Sequence, residues 1–167
     1  MERIIIIGCG GAGKSTLARQ LGEKLNLPVV HLDQIWWAPG NWKHTSREKF
    51  DELLRKELEK PQWILDGNFN RTLEARLEKC DTVIYLDLPR WVCLRSWLGR
   101  VIKNWGTARP DMAPGCCEWF DPEMAKWIWN FNKQNHQRYL ELLNKAEGKQ
   151  IFILRNRREV EEFKKSL

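Results

Sequence analysis

Eight consecutive residues near the start of the chain, Gly8-Cys9-Gly10-Gly11-Ala12-Gly13-Lys14-Ser15, have the types and the spacing that hold a polyphosphate. Glycines let main-chain N–H groups turn toward one point and approach phosphate oxygens with no Cβ in the way. Lys14 reaches the β and γ phosphates, the Ser15 hydroxyl ligates Mg²⁺, and Thr16 stands where it contacts the α phosphate. A helix starting at Lys14 would turn its positive dipole end toward the same anion. The context supports the motif: the β-branched run Ile4 to Ile7 precedes it, and Leu17, Ala18, Leu21 and Leu25 follow at helical spacing. ATP with Mg²⁺ is the expected ligand.

Such a loop works with a carboxylate at the end of a second buried strand, which holds the water shell of the metal. Three strands end in aspartate: at Asp33, Asp66 and Asp87. Asp87 runs into Leu88-Pro89 and a helix, which suits a structural turn. Asp66 opens onto Gly67, which leaves room for an ion, so Asp66 is assigned to the Mg²⁺ side with Ser15. Asp33 is left for the acceptor, as general base or as an orienting group. His31 lies two residues earlier on the same strand face, where a structural role competes with a substrate contact.

Between Leu88 and Pro110 stand Arg90, Arg95, Arg100, Lys103 and Arg109 with no acidic residue among them. A solvated helix would mix signs to gain i,i+4 pairs. Unpaired arginines near a phosphate site suit clamps on a transferring phosphoryl group; a generic basic face is the competing reading. Arg95, Arg100 and Arg109, with Lys14 and Asp33, form the expected catalytic set. Arg95 and Arg100 would project roughly 140° apart on a regular helix, so they need not share a target.

The elements that must position these residues alternate. Strands are expected at Ile4 to Ile7, Val29 to Asp33, Trp63 to Asp66, Thr82 to Asp87 and Gln150 to Leu154. Helices are expected from Lys14 to Leu25, from a Thr45 or Ser46 cap to Glu59, from Thr72 to Lys79, from Trp91 to Lys103, from Pro122 to Glu147 and from Arg157 to Lys165. Loops are expected over Ile35 to His44 and Gly106 to Gly115. This alternation predicts an α/β fold, a parallel sheet covered on both faces, in one domain over residues 1–167.

The charge of +6 suits polyanionic ligands, either nucleotide phosphates in a pocket or nucleic acid across a surface. Five cysteines without C-x-x-C spacing give no support to a zinc site or a disulfide framework. No apolar run approaches the roughly 18 residues of a membrane span, and the start of the chain does not read as a signal peptide, so no membrane partner and a cytoplasmic location are expected. A monomer and a homodimer both remain open. Asn132-Lys133 and Asn144-Lys145 are not followed by x-Asp, which leaves guanine specificity without a carrier.

The stretch Asp66-Gly67-Asn68-Phe69-Asn70-Arg71-Thr72 resembles the Asp-Gly-Phe-Pro-Arg-Thr motif of adenylate-kinase-like P-loop kinases; Asp66, Gly67, Arg71 and Thr72 match. More closely, the chain is similar to the DNA topology modulation (FlaR-related) proteins through Gly13 to Gln20, His31-Leu32-Asp33, Trp63 to Asn68, Arg109-Pro110-Asp111-Met112 and Lys126 to Asn130. The resemblance implies a three-layer P-loop fold with strand order 2-3-1-4-5 and a helical lid near residues 95–120. It also implies that Arg71 contacts an acceptor phosphate and that Arg155, after the last strand, lies beside the base of ATP. A phosphotransferase acting on a nucleotide or another small molecule is expected. Its acceptor contacts are His31, Asp33, Trp36, Asn68, Arg71 and Arg76. The alternative is an ATP-binding regulator associated with nucleic acid, suggested by the charge and the second resemblance.

Overall fold

Five strands that are apolar on both faces must be buried on both faces, and a parallel sheet between helices is the arrangement that does this. The computed structural model describes residues 1–40 and 42–167; Asn41, within the loop expected over 35–44, lies outside them. The strands β1 (Arg3–Gly8), β2 (Val29–His31), β3 (Trp63–Asp66), β4 (Thr82–Leu86) and β5 (Gln150–Leu154) form one sheet. Its order is β2-β3-β1-β4-β5, every pairing is parallel, and the expected order 2-3-1-4-5 is met. Ile4 to Ile7 at the centre are wholly buried.

The helices are α1 (Lys14–Leu25), α2 (Leu32–Trp36), α3 (Arg47–Leu58), α4 (Leu73–Lys79), α5 (Arg90–Lys103), α6 (Pro122–Asn144) and α7 (Arg157–Ser166). Ser46 caps α3 by accepting from the Lys49 N–H at 3.2 Å, the role expected of it. Two elements differ from expectation. The second strand ends at His31, and the chain turns at once into the short helix α2, so Asp33 projects from a helix rather than a strand end. The sixth helix stops at Asn144, short of Glu147.

Parallel strands all point their C-terminal ends the same way. The loop after β1, the helix after β2, the turn after β3 and the residues after β4 and β5 therefore meet along one edge. That edge is the crevice where open α/β sheets bind ligands.

Candidate functional site

The loop between β1 and α1 has the conformation its glycines were read to allow. Gly11 (φ 77°) and Gly13 (φ 97°) take left-handed backbone that side chains disfavour. A Cβ on Gly11 would also run into the Cys93 carbonyl and Trp97 of α5. The Lys14 ammonium donates to the Cys9 carbonyl at 3.0 Å, which folds it over the loop. Cys9 offers only its backbone, because its thiol is buried against the Ile128 carbonyl. Thr16 is exposed on the first turn of α1.

Asp66, at the end of β3, is 5% exposed. Its Oδ2 lies 2.8 Å from His31 Nδ1, whereas its Oδ1 is buried with no partner among the described residues. A buried carboxylate oxygen lacking a donor is costly, and it suits a metal-bound water beyond it. Among the described residues no group of three His, Cys, Asp or Glu is placed to hold a metal ion directly. The donor set thus fits Mg²⁺ bound by Ser15 and phosphate oxygens, with Asp66 holding its water. His31 is a buried partner of Asp66, which is the structural reading.

Asp33 stands on the first turn of α2, half-buried. Burial, reinforced by the nearby Asp66 and Asp111 carboxylates, raises its pKa to about 6, against the pull of Lys14 and Arg109. Trp36, three residues on and so on a neighbouring part of the same helix, lines a cleft of about 250 Å³ with Arg47, Phe50, Phe69, Asn70 and Arg71. Trp36 meets Phe50 and Phe69 edge-on, with centroids 5.5 and 5.8 Å apart. Arg71 is exposed and paired with Asp51 at 2.8 and 2.5 Å. Its hydrogen bonds hold the Asp51 carboxyl below the usual range.

Three expectations are corrected, on Arg76, on Arg95 and on the arginine-rich segment. Arg76 is wholly buried, and its guanidinium donates to the carbonyls of Gly67, Asn68, Phe69 and Thr72. It shapes the turn after β3 and presents no surface to an acceptor; its burial lowers its pKa to about 10. Asn68 accepts the Gly8 N–H at 3.0 Å, so its carbonyl oxygen fastens that turn to the phosphate loop. Arg95 is exposed and lies about 200° around α5 from both Cys93 and Trp97, the residues facing the loop. The arginine-rich segment is also not without counter-charges, for two arginines find them just beyond its end. Arg109 lies 2.5 Å from Asp111 and 2.6 Å from Glu118, and Arg100 lies 3.4 Å from Glu118.

The segment from Asn104 to Asp121 folds over the crevice and is held there by main-chain and side-chain contacts. Gln34 donates to the Pro110 carbonyl at 2.5 Å, the Gly40 N–H to Pro114 at 2.8 Å, and Trp42 to Cys117 at 3.1 Å. Met112, Ala113 and Cys116 make a small core with Trp37 and Trp42, so these two tryptophans pack against this segment. Asp111 lies 3.7 Å from Arg19 of α1. Burial would raise its pKa, but Arg109 and a hydrogen bond from the Ser15 hydroxyl outweigh that and lower it.

Arg155 is exposed, and its backbone N–H donates to Glu159 at 2.6 Å. Sequence reading missed Arg157. From the start of α7 it donates to the Ala12 carbonyl at 2.7 Å and to Ser96 of α5 at 3.0 Å, strapping the phosphate loop from behind. Asp111, Glu118 and Arg47 were missed too. The first had a signal, as it stands two residues after Arg109; the others had none.

No protein-family model matches the chain. It is 30% identical over 128 residues to the shikimate kinase of Rhodococcus jostii (strain RHA1), a match covering 68% of this chain and 71% of that enzyme. It is 28% identical over 109 residues to the adenylate kinase of Clavibacter michiganensis subsp. michiganensis (strain NCPPB 382), covering 64% of this chain and 52% of that one. The structure of shikimate kinase from Acinetobacter baumannii in complex with shikimate superposes with a TM-score of 0.58 at 15% identity, over 99% of this chain and 90% of that one. Shikimate kinase from Bacteroides thetaiotaomicron gives 0.55 at 18% identity, over 99% and 95%. At those identities the likeness is one of fold.

Proposed function

Since the chain belongs to the P-loop small-molecule kinase family of its shikimate kinase relative, we propose that it moves the terminal phosphoryl group of ATP to a hydroxyl of a small anionic acceptor. The observation that carries this choice is the placement of Asp33. It is a half-buried carboxylate with raised proton affinity, on the same short helix as Trp36 at the aromatic, arginine-rimmed cleft. A phosphate acceptor arrives already ionised and needs no base; a hydroxyl does.

In this reading the amides of residues 9–15 and Lys14 hold the β and γ phosphates. Ser15 and Asp66 hold Mg²⁺ and its water, and Mg²⁺ supplies charge neutralisation as phosphate charge shifts. Arg100 and Arg109 reach the transferring group from the lid. Asp33 takes the hydroxyl proton as the new O–P bond forms and the bond to the ADP oxygen breaks. Arg71 and Arg47 bind the acceptor's anionic group, which competes with Asp51 for Arg71. The rings of Trp36, Phe50 and Phe69 cover its apolar body, and the lid excludes water.

A coupled assay of ADP release tests this, with shikimate, other hydroxylated ring carboxylates, simple alcohols and AMP each supplied in turn. A hydroxylated carboxylate is expected to stimulate turnover, and Lys14→Ala to abolish it. Stimulation by AMP alone would remove the role given to Asp33.

A further inference from the structure

Glu118 is a buried acidic residue of the lid to which the reaction described above gives no task. It is 4% exposed, a level of burial that a carboxylate reaches only with partners. Its main chain is fixed at the stem of the lid: its N–H donates to the Thr107 carbonyl at 2.9 Å, and its carbonyl accepts from the Gly106 N–H at 2.9 Å. Trp105 bridges to it in parallel. The residue therefore joins the outgoing and returning strands of the lid at the place where α5 ends.

One side-chain oxygen of Glu118 meets two arginines, one from α5 and one from the segment that follows it. Oε1 lies 2.6 Å from Nε of Arg109 and 3.4 Å from Nε of Arg100. Neither Nε–H is aligned for a hydrogen bond, so the contacts are ionic. In both guanidinium groups Nε is the nitrogen that lies against the carboxylate. The outer edge of Arg109 meets Asp111 through one terminal nitrogen. Among the described residues, neither terminal nitrogen of Arg100 has a partner. Two guanidinium groups brought this close repel each other, and Arg109 contributes, after burial, to the lowered pKa of Arg100. An anion beside both offsets part of that repulsion and draws both groups toward it.

We infer that Glu118 is a positioning residue. Its charge holds Arg100 and Arg109 together near their Nε atoms, which leaves their terminal N–H groups to address the γ-phosphate together. Asp111 differs from it, since it meets Arg109 on the edge that the phosphate needs and must give way when the phosphate is bound. Glu118 sits on the edge that the phosphate can do without, and it stays. The inference rests on the clamp role given to the two arginines under the proposed function.

The test is the ratio of the dissociation constants of MgADP and MgATP, measured by calorimetry on the full chain, which needs no knowledge of the acceptor. In the wild type MgATP is expected to bind more tightly, because only ATP carries the phosphate the two arginines address. Glu118→Gln keeps the shape and removes the anion. It should lower the ratio about tenfold, or about 1.4 kcal/mol, with MgADP binding unchanged. Glu118→Asp should fall between the two, and it carries the test if the glutamine variant does not fold. A merely structural role would weaken both nucleotides together, and that result, or an unchanged ratio, overturns the inference. A wild type that does not prefer MgATP fails differently, since it removes the clamp reading itself.

Discussion

Replacing Asp33 by asparagine should make the protein more stable and less active at the same time. Its pKa stands at about 6 in the fold against an ordinary 3.8, mainly through burial and next through Asp66. At about 1.4 kcal/mol per pH unit, that gap costs the folded state about 3 kcal/mol when the carboxylate is charged. The sign follows from proton binding. Above pH 6 the group is ionised in both states and the whole cost is present. Between about pH 4 and 6 the folded protein keeps a proton that the unfolded chain has lost, so stability falls as pH rises. Below about pH 4 both states are protonated and the cost is gone. Asp33→Asn should therefore gain up to about 3 kcal/mol over wild type at pH 7.5 and nothing at pH 3.5. Urea denaturation of both proteins at the two pH values, without nucleotide, isolates this residue because every other group titrates alike in the pair. Phosphoryl transfer should drop by roughly 10²- to 10⁴-fold, and wild-type kcat/KM should fall about tenfold per unit below pH 6. A variant no more stable than wild type at pH 7.5, or a difference that persists at pH 3.5, would refute the reasoning.

Two further substitutions separate the arginines that the sequence placed together. Arg76→Met removes the donors to the carbonyls of Gly67, Asn68, Phe69 and Thr72. The loss should be about 3 kcal/mol or more, read as a fall in Tm of about 6–12 °C for a chain of this size. Arg71→Ala breaks only a surface pair with Asp51, whose side chains are 48% and 44% exposed. Its stability should change by less than about 1 kcal/mol, while KM for the acceptor rises and that for ATP does not.

The phosphate loop was legible because its chemistry is local. Glycines, one lysine and one serine at set spacing, between a β-branched strand and an amphipathic helix, place their own main-chain amides with little outside help. Strand positions were legible because β1, β3 and β4 are buried on both faces and read as unbroken apolar runs. The place of Asp33 was harder to read, since strand and short helix differ there by a single residue and nothing in the types Leu32-Asp33-Gln34 decides between them.

The partners of the charged side chains belong to the other class. Arg71 and Arg76 are five residues apart and look alike in sequence. One reaches solvent at the aromatic cleft, and the other turns into the core to satisfy three carbonyls of the turn after β3. Arg95 and Arg100 were equal candidates until the packing of Cys93 and Trp97 on the phosphate loop set the rotation of α5. Glu118 and Arg157 carried no motif, because their importance comes from what lies across the fold from them. Periodicity and spacing determine backbone geometry through short-range sterics and burial. Charge pairing acts between side chains distant along the chain, and only the packed structure decides which of them meet.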